Sequence, residues 1–111
     1  MSELTLEKAQ TIVSAGLKFA RDSKFKPLGV VVLDARGAMV ACAIEDNSSL
    51  RRFEIAHVFG GDFIPVPGGV LIRNAGGAII GAVGVSGDTS ENDEAAGIAG
   101  IKAAGFAADA G

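Results

Sequence analysis

Apolar residues first recur at helical spacing. Leu6, Ala9, Val13, Leu17 and Ala20, flanked by Ile12 and Phe19, make one stripe, while Glu7, Lys8, Lys18 and Arg21 fall on the other side. Thr5 stands where a side-chain oxygen caps a first turn, and Glu7 suits its positive end. The pattern predicts a helix from about Leu6 to Asp22, ended over 24–27 because the residue before a proline avoids helical backbone. The texture then changes. Residues 29–42 hold two apolar, β-branched runs around Ala35-Arg36-Gly37, which predicts a hairpin. Residues 69–82 repeat this texture, with Gly29/Gly69, Val30/Val70, Ala35/Ala75, Gly37/Gly77 and Ala38/Ala78 in step and Asp34 matched by Asn74. One near-repeat is too little for a solenoid. It reads as two hairpins with one turn solution, Asp or Asn entering the turn and glycine supplying a positive φ.

The second hairpin continues to Val85 and stops at Ser86-Gly87-Asp88. Thr89 or Ser90 then caps a last helix, whose first turn carries Glu91, Asp93 and Glu94, and which extends to about Ala104. Gly97, Gly100 and Gly105 cost a helix about 1 kcal/mol each relative to alanine, which makes sense if it packs very close to its neighbours. Between the hairpins, residues 50–58 read as a short helix capped by Ser48 or Ser49. Residues 63–67 read as an extended run whose two prolines forbid a central strand. Two outer helices and at least four antiparallel strands give an α+β class, in one domain spanning residues 1–111.

Composition narrows the function classes. The chain has 111 residues, 49% of them hydrophobic and 21% charged, an ordinary globular balance. Its single cysteine permits no intrachain disulfide. No apolar run reaches the roughly 18–20 residues of a membrane span, and no signal peptide is visible, so the expectation is a soluble, cytoplasmic protein without a membrane partner. A net charge of −3, with neither Trp nor Tyr, argues against nucleic acid as a partner. The charge is uneven, since eight of the ten Lys and Arg lie within residues 1–52.

Few residues carry chemistry. His57 is the only histidine, and Glu54, three positions earlier, would share a helical face with it. Two ligands do not make a metal centre, so no metal is expected; as an axial haem ligand the imidazole needs only an open pocket. Gly84-Val85-Ser86-Gly87 approaches a nucleophile elbow, but Asp88 replaces its last glycine. The alternation Asp88, Ser90, Asn92, Glu94 suggests the start of a calcium loop but lacks its central glycine and distal glutamate, so helix capping is the better reading. Arg51 and Arg52 suit a carboxylate or propionate. Asp93 or Glu94 would serve as a general base if burial raised its pKa. Cys42, at the apolar end of a strand, reads as packing. Composition and spacing by themselves name no reaction.

Several of these segments resemble a family. Pro67-Gly68-Gly69-Val70, the run from Gly81 to Gly87, and Asp93-Glu94 on a glycine-rich helix are similar to the signature of GlcG/HbpS-type haem-binding proteins, a family that includes the C-terminal domain of PduO. The opening Leu4-Thr-Leu-Glu-Lys-Ala9, the turn Val32-Leu-Asp-Ala-Arg-Gly37 and Arg52-Phe-Glu-Ile-Ala56 fit as well. The resemblance implies a profilin-like central antiparallel sheet of about five strands with N- and C-terminal helices packed on it, and assembly into homo-oligomers, dimers or larger. It also implies haem as cofactor for many members, while others have no settled activity. Compared with the family, the stretch after Val58 is short.

On that resemblance the first expectation is a small-ligand or haem-binding module. His57 would be the axial ligand, Arg51 or Arg52 would pair with propionates, and Phe53, Phe59 and Phe63 would meet the macrocycle. Pro67, Gly68, Gly69 and Ser86 would border the pocket. The alternatives are an enzyme acting on a small organic acid, with Asp93 or Glu94 as base, and a structural homo-oligomer without catalysis.

Overall fold

The computed structural model describes residues 3–48 and 69–110, and the backbone of 56–59 and 62–65. Its elements run α1 (Leu6–Asp22), β1 (Gly29–Asp34), β2 (Met39–Ile44), β3 (Ala56–Phe59), β4 (Asp62–Pro65), β5 (Gly69–Arg73), β6 (Ile79–Ser86), α2 (Ser90–Ala103) and β7 (Ala107–Asp109). A five-stranded sheet has the order β2-β1-β6-β5-β7, antiparallel at every pairing, and β3 with β4 forms a separate two-stranded ribbon. The α+β class and the sheet with its two helices are as the sequence predicts. No described helix is long and apolar enough to cross a membrane.

Both helices begin where a hydroxyl can take an orphan backbone donor. Thr5 Oγ1 accepts from Lys8 N, and Thr89 Oγ1 from Asn92 N, each at 3.2 Å. The hairpins also form as expected, and for the same local reason. Asp34 Oδ1 accepts from Arg36 N and Ala38 N, Asn74 Oδ1 accepts from Ala78 N, and Gly37 and Gly77 take φ of 82° and 85°. Each hairpin also shifts register just before its turn, at Val32/Leu33 and at Ile72/Arg73.

The core lies between the helices and one face of the sheet. Val30, Val32, Val70, Ile72, Val83 and Val85 point at Ala9, Ile12, Val13, Ala20, Ala96 and Ile101. Burying each such Val or Ile is worth about 1.5–3 kcal/mol. The helices meet through glycine: a Cβ on Gly100 would stand 2.4 Å from Ile12 O, and one on Gly16 would stand 3.2 Å from Ala96 O. The glycines at 97 and 100 are therefore close-approach residues, as expected. Gly105 has a different role, ending α2 with a φ of 88°.

Cys42, expected to pack, is exposed. Two expectations about the elements also change. Residues 56–58 belong to β3 rather than to a helix; the rest of the predicted 50–58 helix lies outside the described residues. The register sets Phe59 opposite Asp62. Pro65 ends β4 in this ribbon, outside the main sheet, as its missing donor requires. The second change is an addition: the chain continues past α2 into β7, which pairs with β5.

Candidate functional site

Strand alternation leaves a second face of the sheet, turned away from both helices. Register assigns to it Gly29, Val31 and Leu33 of β1, Ala82, Gly84 and Ser86 of β6, and Gly69 and Leu71 of β5. Gly69 stands directly opposite Gly84, and Ser86 opposite Gly29. At this end of the sheet the face therefore has almost no side chains: Gly29, Gly69 and Gly84 are buried backbone, and Ser86 adds one half-buried hydroxyl. The same end receives the chain from β4, which lies against β5, and it sends the chain from β6 into the first turn of α2.

The structure thus brings Gly69, Ser86 and Asp93 to one end of the molecule, with the ribbon adjoining. His57 lies on β3 opposite Ile64, so the helical spacing it was expected to share with Glu54 does not hold at its end. Arg51, Arg52, Phe53, Pro67 and Gly68 lie outside the described residues. Among the described residues, no three His, Cys, Asp or Glu side chains converge as a metal site would require.

The loop from β6 to α2 is locked rather than open. Gly87 has a φ of 146°, and a Cβ there would stand 2.4 Å from Pro27 O and 2.6 Å from Leu28 Cα. Asp88 Oδ2 accepts from Lys26 N at 2.6 Å, and its Oδ1 accepts from Thr89 N at 2.6 Å and Asn92 Nδ2 at 3.0 Å. These donors, Lys26 N first, hold its carboxyl below the usual carboxylate range. Asp93 is buried and turned back toward the loop, where its Oδ1 accepts from Asp88 N at 2.9 Å. Burial pushes its pKa up, while hydrogen bonds from the Asp88 and Gly87 backbone pull it back. A carboxylate so engaged is occupied with holding the loop. Glu94, the other candidate base, is half-buried one position on.

Sequence reasoning missed the partner of this lock. Glu45 Oε1 accepts from Leu28 N at 3.0 Å while its Oε2 pairs with Arg21 Nε at 2.9 Å, and Arg21 Nη2 donates to the carbonyls of Phe25 and Lys26. Arg21 and Glu45 are far apart in the chain and belong to no motif, so only the fold shows that they fasten the 25–28 segment against which Gly87 packs.

Residues 51–102 match a family model described as haem degrading protein HbpS-like. Among solved structures, HbpS aligns with a TM-score of 0.76 at 20% identity, covering 92% of this chain and 90% of that one. A complex of PduOC with heme aligns with a TM-score of 0.76 at 18% identity, covering 96% and 97%. The Klebsiella pneumoniae protein ORFY aligns with a TM-score of 0.69 at 21% identity, covering 95% and 92%. At such identities the structural likeness speaks for the fold. No curated protein matches the chain by sequence.

Proposed function

We propose, from the premise that this chain is of the HbpS type, that it is a small-ligand-binding module and that its ligand is haem. The observation that carries the reading is the family match itself. It runs over residues 51–102, and so takes in both the only histidine and the glycine-floored end of the sheet. The solved complex of PduOC with heme, aligned over nearly its whole length, supports it.

The donor set suits the group. Residues 51–63 supply one imidazole, two guanidinium groups and three phenyl rings, which are the chemistries that meet a haem's iron, propionates and macrocycle. In this reading His57 is the axial ligand, and Arg51 or Arg52 pairs with propionates. Phe53, Phe59 and Phe63 give apolar contact, and Pro67, Gly68, Gly69 and Ser86 border the pocket. Gly69 and Gly84 are both buried, and neither carries a side chain that a flat ligand would have to displace. The iron of a bound haem would supply redox chemistry at this end of the sheet.

The test is a haemin titration followed by absorbance, on protein whose intact mass has been checked. A saturable, sharpened Soret band at one haem per subunit or per dimer is expected, with the band broadened and affinity weakened at least about tenfold in His57→Ala. A non-saturating response from the wild-type chain overturns the reading. An unchanged spectrum and affinity in His57→Ala removes the histidine from it.

A further inference from the structure

Arg21, in the last turn of α1, turns its guanidinium onto the crossing from α1 to β1. Its Nη2 donates to Phe25 O at 2.6 Å and Lys26 O at 2.9 Å, and its Nε pairs with Glu45 Oε2 at 2.9 Å. Glu45 holds the same crossing from the end of β2. Its Oε1 accepts from Leu28 N at 3.0 Å, and its own N donates to Leu28 O at 3.0 Å. The two side chains thus fix residues 25–28 at both ends. They are 44% and 19% exposed, so as an isolated ion pair they add little to stability. Their distinction is geometric: one planar guanidinium serves a carboxylate and two carbonyls at once.

The segment they hold bears on the loop beside the candidate site. Lys26 N donates to Asp88 Oδ2 at 2.6 Å, and Pro27 O and Leu28 Cα fill the space a Cβ on Gly87 would need. That second contact is backbone against backbone, with no rotamer to absorb a displacement. A shift of residues 25–28 therefore passes to Gly87, and Ser86 is its chain neighbour. Register shows the same path. Ile44 stands opposite Gly29, Gly29 stands opposite Ser86, and Glu45, Leu28 and Gly87 continue that row one residue past the strands. Alternation sets the Glu45 side chain on the helix side, where it meets Arg21, and Ser86 on the other. The pair lies across the sheet from a ligand on the Ser86 face and reaches it only through the loop.

We infer that Arg21 and Glu45 are positioning residues for the site: together they hold the 25–28 segment against Gly87 and so set where Ser86 stands. Ser86 borders a haem pocket only on the reading above, so the effect on ligand affinity rests on that reading, whereas the effect on the loop does not.

Amide hydrogen exchange and haemin titration on the full chain test the two effects. Arg21→Lys keeps the charge but cannot serve all three acceptors. It is expected to speed exchange at the Lys26 and Asp88 amides at least about fivefold, although Arg21 bonds to neither donor. Haemin affinity is expected to fall about threefold to thirtyfold. Glu45→Gln keeps an acceptor for Leu28 N and is expected to act in the same direction more weakly. Because the pair acts as a unit, the double variant is expected to match Arg21→Lys alone. Asp109→Ala, on the outer strand β7, is the control, and is expected to leave both amides and the affinity unchanged. Unchanged exchange in Arg21→Lys overturns the inference. So does faster exchange with haemin affinity intact, since the loop then moves without moving the site. Additive losses in the double variant, or an equal loss in Asp109→Ala, overturn it as well. A wild-type chain that binds no haemin overturns the haem reading instead, and the exchange rates then decide whether the pair positions the loop.

Discussion

Asp93 sits on α2 but works on the loop before it. Its carboxylate reaches back past the Thr89 cap to the backbone of Asp88 and Gly87, and it is buried in doing so. Two consequences oppose one another. The hydrogen bonds require an acceptor, whereas burial penalises the charge. Because its pKa is raised in the folded state, the native protein holds this proton more tightly than the unfolded chain does. The contribution of Asp93 to stability therefore declines as pH rises from the ordinary carboxylate value through the raised one. Asp88 and Asp34 act with the opposite sign. Their pKa values are lowered, so what they add is present above the ordinary carboxylate range and is lost as pH falls through the lowered values. Asp93→Asn keeps an acceptor and removes the charge, so at pH 7 it is expected to be as stable as wild type or slightly more so. Asp93→Ala orphans buried donors and is expected to cost about 1–3 kcal/mol. Urea unfolding at pH 7 and at pH 4 checks both: the Asn variant should gain on wild type more at pH 7 than at pH 4. If Asn proves as costly as Ala at pH 7, the carboxylate charge is doing something this geometry does not explain.

At the level of elements, what could be read in advance was what is settled within a few residues. The two hairpins were legible because Asp34 and Asn74 act on backbone only two to four residues away, and Gly37 and Gly77 supply the one conformation the turn lacks. The start of α1 was legible for the same reason, with Thr5 reaching Lys8. Residues 56–58 were misread as helix because a short apolar run carries no period of its own, and pairing with β4 decided it. In the same way β7 was invisible: Ala107-Ala-Asp109 has no strand propensity, and it is a strand because β5 has an edge to offer. The glycines of α2 show how packing can override propensity. An alanine at 100 would gain about 1 kcal/mol of helix propensity. Its Cβ would meet the carbonyl of Ile12 at 2.4 Å, and backbone cannot step aside, so Gly100→Ala is expected to destabilise by about 1–3 kcal/mol net. At Gly97 the nearest atom is a Val70 methyl at 3.3 Å, which a small side-chain shift relieves, so Gly97→Ala should be near neutral. Thermal unfolding of the two variants side by side checks the ordering, and a Gly97→Ala as damaging as Gly100→Ala would refute it.

The molecule as a whole is a sheet with helices on one face and the candidate site at one end of the other, and its two edges are treated differently. Among the described residues nothing pairs with the far edge of β2, whereas β5 is covered by β7. That cover is fastened from three directions. Arg73 Nε pairs with Asp109 Oδ2 at 2.7 Å, Lys8 Nζ stands 4.8 Å from the centre of the Phe106 ring, and Phe106 and Ala108 pack on the core. Much of the candidate site was legible only as a set of residue types, because Gly69, Ser86 and the ribbon are brought to one end by strand order, which no local signal encodes. The same strand order makes β7 matter beyond its length. β5 carries Val70, Leu71 and Ile72, all buried, and losing β7 would turn it into an edge strand. It would also withdraw Phe106 from the core and leave Arg73 without its carboxylate. Removing residues 106–111 is therefore expected to cost about 2–4 kcal/mol, mostly from the partly buried phenyl ring and the lost ladder. In a domain of this size that lowers the melting temperature by roughly 10–20 °C. Asp109→Ala removes a partly exposed ion pair to Arg73 while leaving the strand and Phe106 in place, and is expected to cost about 1 kcal/mol. Calorimetry of the two variants separates the contributions. If the point variant matched the truncation, the ion pair rather than the strand and its phenyl anchor would be holding that edge.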